Sequence, residues 1–472
     1  MHKSPPAPAP PPRIRRTRNK ALPFIYERRR GQYDGLHKPL GLIASSALTF
    51  YTAVQLSTTT GIQEQYNPAS IGAALGGTFT LLNLYSLFFL WRTPPRPLNV
   101  VITGGSRGVG KALAREHLLV YKDNVIITGR DKKAVERAVS ELQDEISEQF
   151  PESSSSRGNN SPSSSPRPRV VGLSQLDICN PSDVLTLVNQ SRELYNDVID
   201  VWINNAGVSG GYKMFAEQTP EQLESVVKTN LIGPMLCTHA LMTTASNDVK
   251  SHGDGENSNH NHHHHHKVHV FNMDGAGVDG LATPNYAAYG STKAGLGQLF
   301  KTLTREFNQH RHHHIGSDNS YEANGTKVLL SMLSPGMVLT DLLLQGATPS
   351  LLSLVFNTLC EQPETVAAFL VPRVRSVVAQ GQGGAYIRYL TPLRVVAKLS
   401  MAGFNRNRFF DGDGNTLYPG EKERLRRDAL QMERKAKRAA KRSSGLAVAY
   451  ALSIAAGYLI FVTDALAVHM GR

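Results

Sequence analysis

Short apolar runs alternate with longer amphipathic stretches between Asn99 and Ser334, and polar, turn-rich segments separate them. The runs near 99–103, 124–128, 170–174, 199–203, 267–273 and 327–333 are the length of buried strands. The stretches near 108–121, 131–149, 181–195, 219–245 and 286–308 carry the helical period. Strict alternation of strand and helix predicts a parallel sheet with right-handed crossovers, an α/β domain covered on both faces. Three polar inserts, 151–169, 246–266 and 308–326, fall between elements, where insertions are tolerated.

A different pattern flanks this domain. Pro39 to Gln63, Gln65 to Trp91 and Ser443 to Thr463 contain no charged residue and reach spanning length. Basic residues border them: Arg28, Arg29, Arg30 and Lys38 before the first, Arg92 and Arg96 after the second, and Lys437, Arg438, Lys441 and Arg442 before the third. All three basic clusters fit one membrane face. The expected layout is a basic, disordered segment over 1–36 and two transmembrane helices within 37–92. A catalytic domain over 97–400, a basic juxtamembrane segment over 401–442 and a transmembrane helix over 443–468 follow. Within the juxtamembrane segment, Glu421 to Arg442 reads as an amphipathic helix at the headgroups. The first 36 residues lack the apolar core of a secretory signal; a transit peptide and a disordered basic tail both fit them.

Charge sharpens this layout. The chain of 472 residues has a net charge of +13, and residues 1–36 and 405–442 carry the whole excess. A near-neutral catalytic part with basic ends argues against a nucleic-acid channel and fits an anionic membrane surface. Cys179, Cys237 and Cys360 lie far apart, without metal-ligand spacing; they read as reduced thiols. The histidines at 260, 262–266 and 312–314 read as low-complexity loops, because consecutive histidines lack a preformed geometry. Asp411-Gly-Asp-Gly-Asn415 begins like a calcium loop but has Lys422 at its twelfth position, so it reads as a turn. No metal site is expected.

The chemistry lies in separated short motifs. Gly104, Gly108 and Gly110, with Ser106 and Arg107, join the first strand to the first helix. Strand, glycine turn and helix form the Rossmann-type context in which backbone N–H groups meet a pyrophosphate. Tyr289 and Lys293 are four residues apart and share a helix face. A tyrosine can supply the proton that carbonyl reduction requires if its pKa falls toward neutrality, and a nearby ammonium favours phenolate.

Together with Asn204-Asn205-Ala206-Gly207 and Asn230, these motifs resemble the short-chain dehydrogenase/reductase family over about residues 98–345. The resemblance implies a doubly wound sheet, a catalytic set of Tyr289, Lys293 and Asn230, and a nucleotide held by the glycine turn, Asn205, Ala206 and Gly207. It also implies Lys293 on the nicotinamide ribose, a water held by Asn230, Asp177 against the adenine, and Pro335, Gly336 and Thr340 at the nicotinamide amide. NADPH is the expected cofactor, since Arg107 and Arg130 suit a 2′-phosphate. Asp131, one residue beyond Arg130, leaves room for NADH, whose ribose an acid would bind.

One departure stands out. The stretch before Tyr289 where the family carries a catalytic serine reads Phe271-Asn-Met-Asp-Gly-Ala-Gly277. With Tyr289-Gly-Ser-Thr-Lys293, Tyr386-Ile-Arg-Tyr-Leu-Thr-Pro392 and Arg408-Phe-Phe-Asp-Gly-Asp-Gly-Asn-Thr-Leu-Tyr418, it resembles the chlorophyll b reductase branch of that family. That resemblance implies chlorophyll b or chlorophyllide b as substrate and a thylakoid membrane location in the chloroplast, with the catalytic domain in the stroma. It also makes a homo-oligomer, or a complex with a paralogous reductase or pigment proteins, plausible partners beside membrane lipid. Asp274 and Gly275 are candidate substrate contacts; Asp274 also reads as a plain turn residue. The leucine- and valine-rich segment 342–400 is expected to form the substrate lid. A lipid ketone reductase and a non-catalytic NADPH-binding scaffold are the competing readings.

Overall fold

A computed structural model describes residues 96–151, 167–244, 266–309, 320–323, 326–405, 407–421 and 423–426. The runs at 39–63, 65–91 and 443–463, the histidines at 260, 262–265 and 312–314, and all of 1–36 and 427–442 fall outside them. Among the described residues no helix is long and apolar enough to cross a membrane.

Six apolar runs form strands: β1 Asn99–Thr103, β2 Asn124–Gly129, β3 Val170–Ser174, β4 Val201–Asn204, β5 His266–Met273 and β7 Thr326–Ser334. They pair in parallel in the order β3-β2-β1-β4-β5-β7. Reversal of direction at β1 puts a crevice at the strand C-termini between β1 and β4, the position where such sheets bind ligands. Two strands were not expected from the sequence. β6 (Ser320–Ala323) lies inside the third insert and adds antiparallel to the first half of β7, and β8 (Tyr386–Arg388) adds parallel to its second half.

Helices α1 (Gly108–Tyr121), α2 (Lys132–Gln149), α3 (Pro181–Leu194), α4 (Pro220–Val227), α5 (Gly233–Thr243) and α6 (Ala287–Gln309) cover the sheet. α4 and α5 replace the single helix expected over 219–245. A π-helical turn, Lys228–Ile232, interrupts it at Asn230, and such turns are frequent at functional sites. The core is built from strand residues such as Val101, Ile126, Trp202, Val270 and Leu330, buried against Val184, Leu187 and Leu241.

Beyond β7 come α7 (Asp341–Leu344), α8 (Pro363–Gln380) and α9 (Pro392–Ser400). A second core joins Leu339, Phe356 and Cys360 to Phe409 and Phe410. Asn357 closes it, accepting from the backbone N–H groups of Phe409 (2.7 Å) and Phe410 (2.9 Å) and donating to the Phe410 carbonyl (2.8 Å). The compact unit therefore runs to Tyr418, past the boundary expected at 400. Periodicity does not reveal this, because two adjacent phenylalanines in a turn-rich stretch carry none.

At the opposite end of the sheet from the crevice, Asp123 is fully buried. It meets the His117 ring at 2.7 Å, the Leu98 N–H at 2.8 Å and the Arg375 guanidinium. Arg96 makes a two-pronged pair with Asp200 at 2.5 and 2.9 Å.

Candidate active site

The crevice above β1 and β4 holds a cavity of about 510 Å³. Gly104, Ser106, Arg107 and Gly108 line one side, Arg130 and Asp177 a second, and Asn205, Ala206, Gly207 and Thr340 a third. Ten of the sequence-predicted cofactor contacts thus converge on one space. Gly104 adopts φ +63°, and a Cβ there would lie 2.8 Å from the Ala206 Cα; only glycine permits that approach. Gly110 does not line the cavity. It packs beneath the turn, where a Cβ would meet the Asn205 amide at 2.5 Å.

Thr103, which the sequence reading passed over, holds the two loops together. Its hydroxyl accepts from the N–H groups of Asn205 (3.0 Å) and Ala206 (3.1 Å). The Asn205 side chain donates back to the carbonyls of Thr103 and Gly104, both at 3.0 Å. A hydroxyl at the end of β1 was the only sequence signal for this.

The charges at the adenosine end favour a phosphate. Arg107 and Arg130 both line the cavity with largely exposed guanidinium groups. Their contacts to Asp341 (3.5 Å) and Asp177 (3.8 Å) are long, so both remain available to an anion. Asp131 also lines the cavity, and one of its carboxylate oxygens caps α2, accepting from the Ala134 N–H at 3.2 Å. The pattern of Asp followed by a helical stretch could have shown it.

The expected catalytic residues Asn230, Tyr289 and Lys293 do not line this cavity, although Thr229, next to Asn230, does. Asn230 is fully buried; its side chain donates to the Val208 carbonyl (2.8 Å) and accepts from the Val208 N–H (2.9 Å). It also reaches the Thr292 hydroxyl at 3.4 Å, which ties the π-turn to α6. Lys293 is buried and donates to the Met273 carbonyl at 2.9 Å, with its ammonium 5.5 Å from the Tyr289 ring centre. Gly275, where a serine would be sought, has no room for a side chain: a Cβ there would overlap the Tyr289 hydroxyl.

Burial dominates the electrostatics of the pair. Burial pushes the Tyr289 phenol above its ordinary value, and Asp274 and Tyr286 push it further. Burial brings the Lys293 ammonium down to about 8, although Asp274 opposes this. Burial is the largest of these effects on Tyr289, because it penalises the phenolate. Tyr289 is therefore held neutral, the form that can give up a proton.

Asp274 is buried and takes part in more than a turn. It accepts from the Tyr386 hydroxyl on β8 and from Ser334, and burial lifts its carboxyl to about 6. Pro335 and Gly336 follow β7 at the same end of the sheet, and Gly336 packs so closely that a Cβ would lie 2.7 Å from the Leu390 Cβ. Tyr212, Tyr286 and Tyr289 form an aromatic ladder, with ring centres 5.2 and 5.9 Å apart. Neither Tyr386 nor this ladder was singled out as functional in the sequence. Among the described residues no cluster is fit to hold a metal ion, and Asp411 turns inward on Asn415 (2.7 and 2.8 Å) as a plain turn.

A short chain dehydrogenase model matches residues 166–253. The chain is 36% identical over 318 residues to the Arabidopsis thaliana chloroplastic chlorophyll(ide) b reductase NOL, covering 66% of this chain and 76% of that one. A longer A. thaliana protein, named a probable chloroplastic chlorophyll(ide) b reductase NYC1, is 40% identical over 357 residues. The match covers 75% of this chain and 62% of that protein, so the chain spans about three-fifths of its length. Among solved structures, an actinorhodin polyketide ketoreductase crystallised with NADPH superposes with a TM-score of 0.44 at 17% identity, covering 64% of this chain and 99% of that one. The chain belongs to the short-chain dehydrogenase/reductase family, on the branch of the chlorophyll(ide) b reductases.

Proposed function

We propose that this protein is an NADPH-dependent reductase that converts the C7 formyl group of chlorophyll b or chlorophyllide b to hydroxymethyl. The single observation that carries the reading is the Tyr289–Lys293 pair on α6, a helix covering the same sheet whose crevice is lined by the glycine turn and by Asn205 to Gly207. That crevice presents two available guanidinium groups at its adenosine end. NADPH, when bound, supplies the hydride. The glycine turn and Asn205 to Gly207 hold its phosphates and ribose, and Arg107 and Arg130 receive the 2′-phosphate. Lys293 and Asn230 position the nicotinamide end, with Pro335, Gly336 and Thr340 behind it. Tyr289 gives its proton to the oxygen that becomes the alcohol, and Lys293 favours the phenolate that this leaves.

Support for an apolar substrate comes from Tyr212, Tyr286 and Tyr289, which gather three aromatic rings around the expected proton donor. Support for the branch comes from relatives named for this reaction. Uncharged runs with basic borders support an anchor in the thylakoid membrane of the chloroplast, with the catalytic domain in the stroma. A second copy or a paralogous reductase is a fitting partner. The test is incubation of the full chain with NADPH and chlorophyll b or chlorophyllide b, followed by chromatography of the pigments. A 7-hydroxymethyl product is expected. NADPH binding without any product would favour a lipid ketone or a scaffold role instead.

A further inference from the structure

The missing serine leaves a question: what organises the carbonyl end of the site. Three backbone facts converge on one residue. Lys293 donates to the carbonyl of Met273, and the Tyr289 hydroxyl abuts Gly275. Asp274 lies between them, its own N–H bound to the Leu333 carbonyl at 2.8 Å. Both catalytic side chains therefore rest on the residues immediately flanking a buried carboxylate.

That carboxylate does not point into a void. The Tyr386 hydroxyl donates to it from β8, a strand that pairs with β7. Ser334 reaches it from β7, Arg388 faces it from β8, and Lys293 faces it from α6. Gly275 is required for the arrangement, since any side chain there would drive the Tyr289 hydroxyl away from the strand end.

We propose that Asp274 is a positioning residue for the Tyr289–Lys293 pair, with Tyr386 as its clamp. The ionised carboxylate keeps the proton on Tyr289 and the charge on Lys293, and so holds the pair in its proton-giving form. This deepens the reductase reading, because it rests on Tyr289 being the proton donor. The part of this that serves reduction is the ammonium: a negative charge at the strand end sustains the charge on Lys293, which faces the phenolate once Tyr289 has given up its proton. The charge is available near neutrality because the carboxyl titrates at about 6, with burial raising it and Tyr386, Ser334, Lys293 and Arg388 all pulling it back.

The experiment compares the full chain with its Asp274→Asn and Tyr386→Phe variants. NADPH fluorescence titration first confirms that each binds cofactor. The Lys293 ammonium is then titrated by NMR with ¹³C-labelled lysine, its signal assigned by loss in Lys293→Arg; this needs no substrate. Asn at 274 removes a negative charge, so the Lys293 midpoint is expected to fall by roughly half a pH unit or more. In the pH profile of pigment reduction, the alkaline limb should move down in Asp274→Asn. The acid limb should move up in Tyr386→Phe, which deprives the carboxylate of a donor. A purely structural role would lower the rate and leave both limbs and the Lys293 midpoint in place, and that result overturns the proposal. If the midpoint moves but the parent protein reduces no chlorophyll(ide) b, the positioning role stands and the substrate assignment falls.

Discussion

Replacing Arg130 with alanine should separate the two nicotinamide cofactors. The side chain is 59% exposed, and its contact to Asp177 is 3.8 Å long, too long to be a strong hydrogen bond. Little internal structure is therefore lost on removing it. What is lost is a charge-assisted contact to a 2′-phosphate, of order 1.5–3 kcal/mol in general. Exposure argues for the lower part of that range, and every 1.4 kcal/mol is about tenfold in affinity. The Kd for NADPH should rise by about ten- to thirtyfold, while the Kd for NADH should stay within about twofold. Fluorescence titration of the purified protein with each cofactor reads both numbers. The high-salt Kd should show a smaller difference between parent and variant, since exposed charge contacts are screened. Equal weakening of both cofactors would mean that Arg130 supports the fold of the crevice, and an NADH preference in the parent would refute the two-arginine argument.

Further predictions come from other parts of the molecule. Gly275→Ala should abolish pigment reduction while leaving NADPH binding near normal, because the added methyl displaces the Tyr289 hydroxyl and touches nothing in the nucleotide cavity; retained turnover would contradict the packing. Asp123→Ala should cost about 3–5 kcal/mol, read by denaturant unfolding, because it leaves the Arg375 guanidinium buried without its carboxylate. Thr103→Val should weaken NADPH binding several-fold, since the backbone N–H groups of Asn205 and Ala206 lose their shared acceptor. Stability should also depend on Asp274. Its folded-state pKa of about 6 lies above the ordinary 3.8, so between those values the folded protein binds more protons than the unfolded chain and is destabilised as pH rises. Asp274→Asn should remove that loss, making the variant relatively more stable at pH 7 than at pH 4; thermal unfolding at the two pH values checks the sign.

The parts of the site that were legible in the sequence are those whose chemistry is set by local spacing. A strand feeding Gly104, Gly108 and Gly110 into a helix, and Tyr289 one helical turn from Lys293, are short-range patterns; Gly104 and Gly108 line the crevice, and Tyr289 and Lys293 pair on α6. The parts that were not legible depend on contacts distant along the chain. Thr103 reaches Asn205 across 102 residues, and Tyr386 reaches Asp274 across 112. β8 is only three residues long, too short for alternation to register. The π-turn at Asn230 keeps an ordinary helical sequence and gives no signal. The surroundings of Tyr289 were hidden for the same reason: adjacency to a lysine is visible in sequence, whereas burial by distant elements is not.

The central claim is that hydride passes from NADPH to the C7 formyl carbon while Tyr289 protonates the oxygen. The most direct measurement uses NADPH deuterated at the transferring position of the nicotinamide, with chlorophyllide b as substrate. Mass spectrometry of the product from the parent protein should show one deuterium retained at the new hydroxymethyl carbon, and Tyr289→Phe should bind NADPH and form almost no product. A product free of deuterium, or full turnover by Tyr289→Phe, would contradict the account.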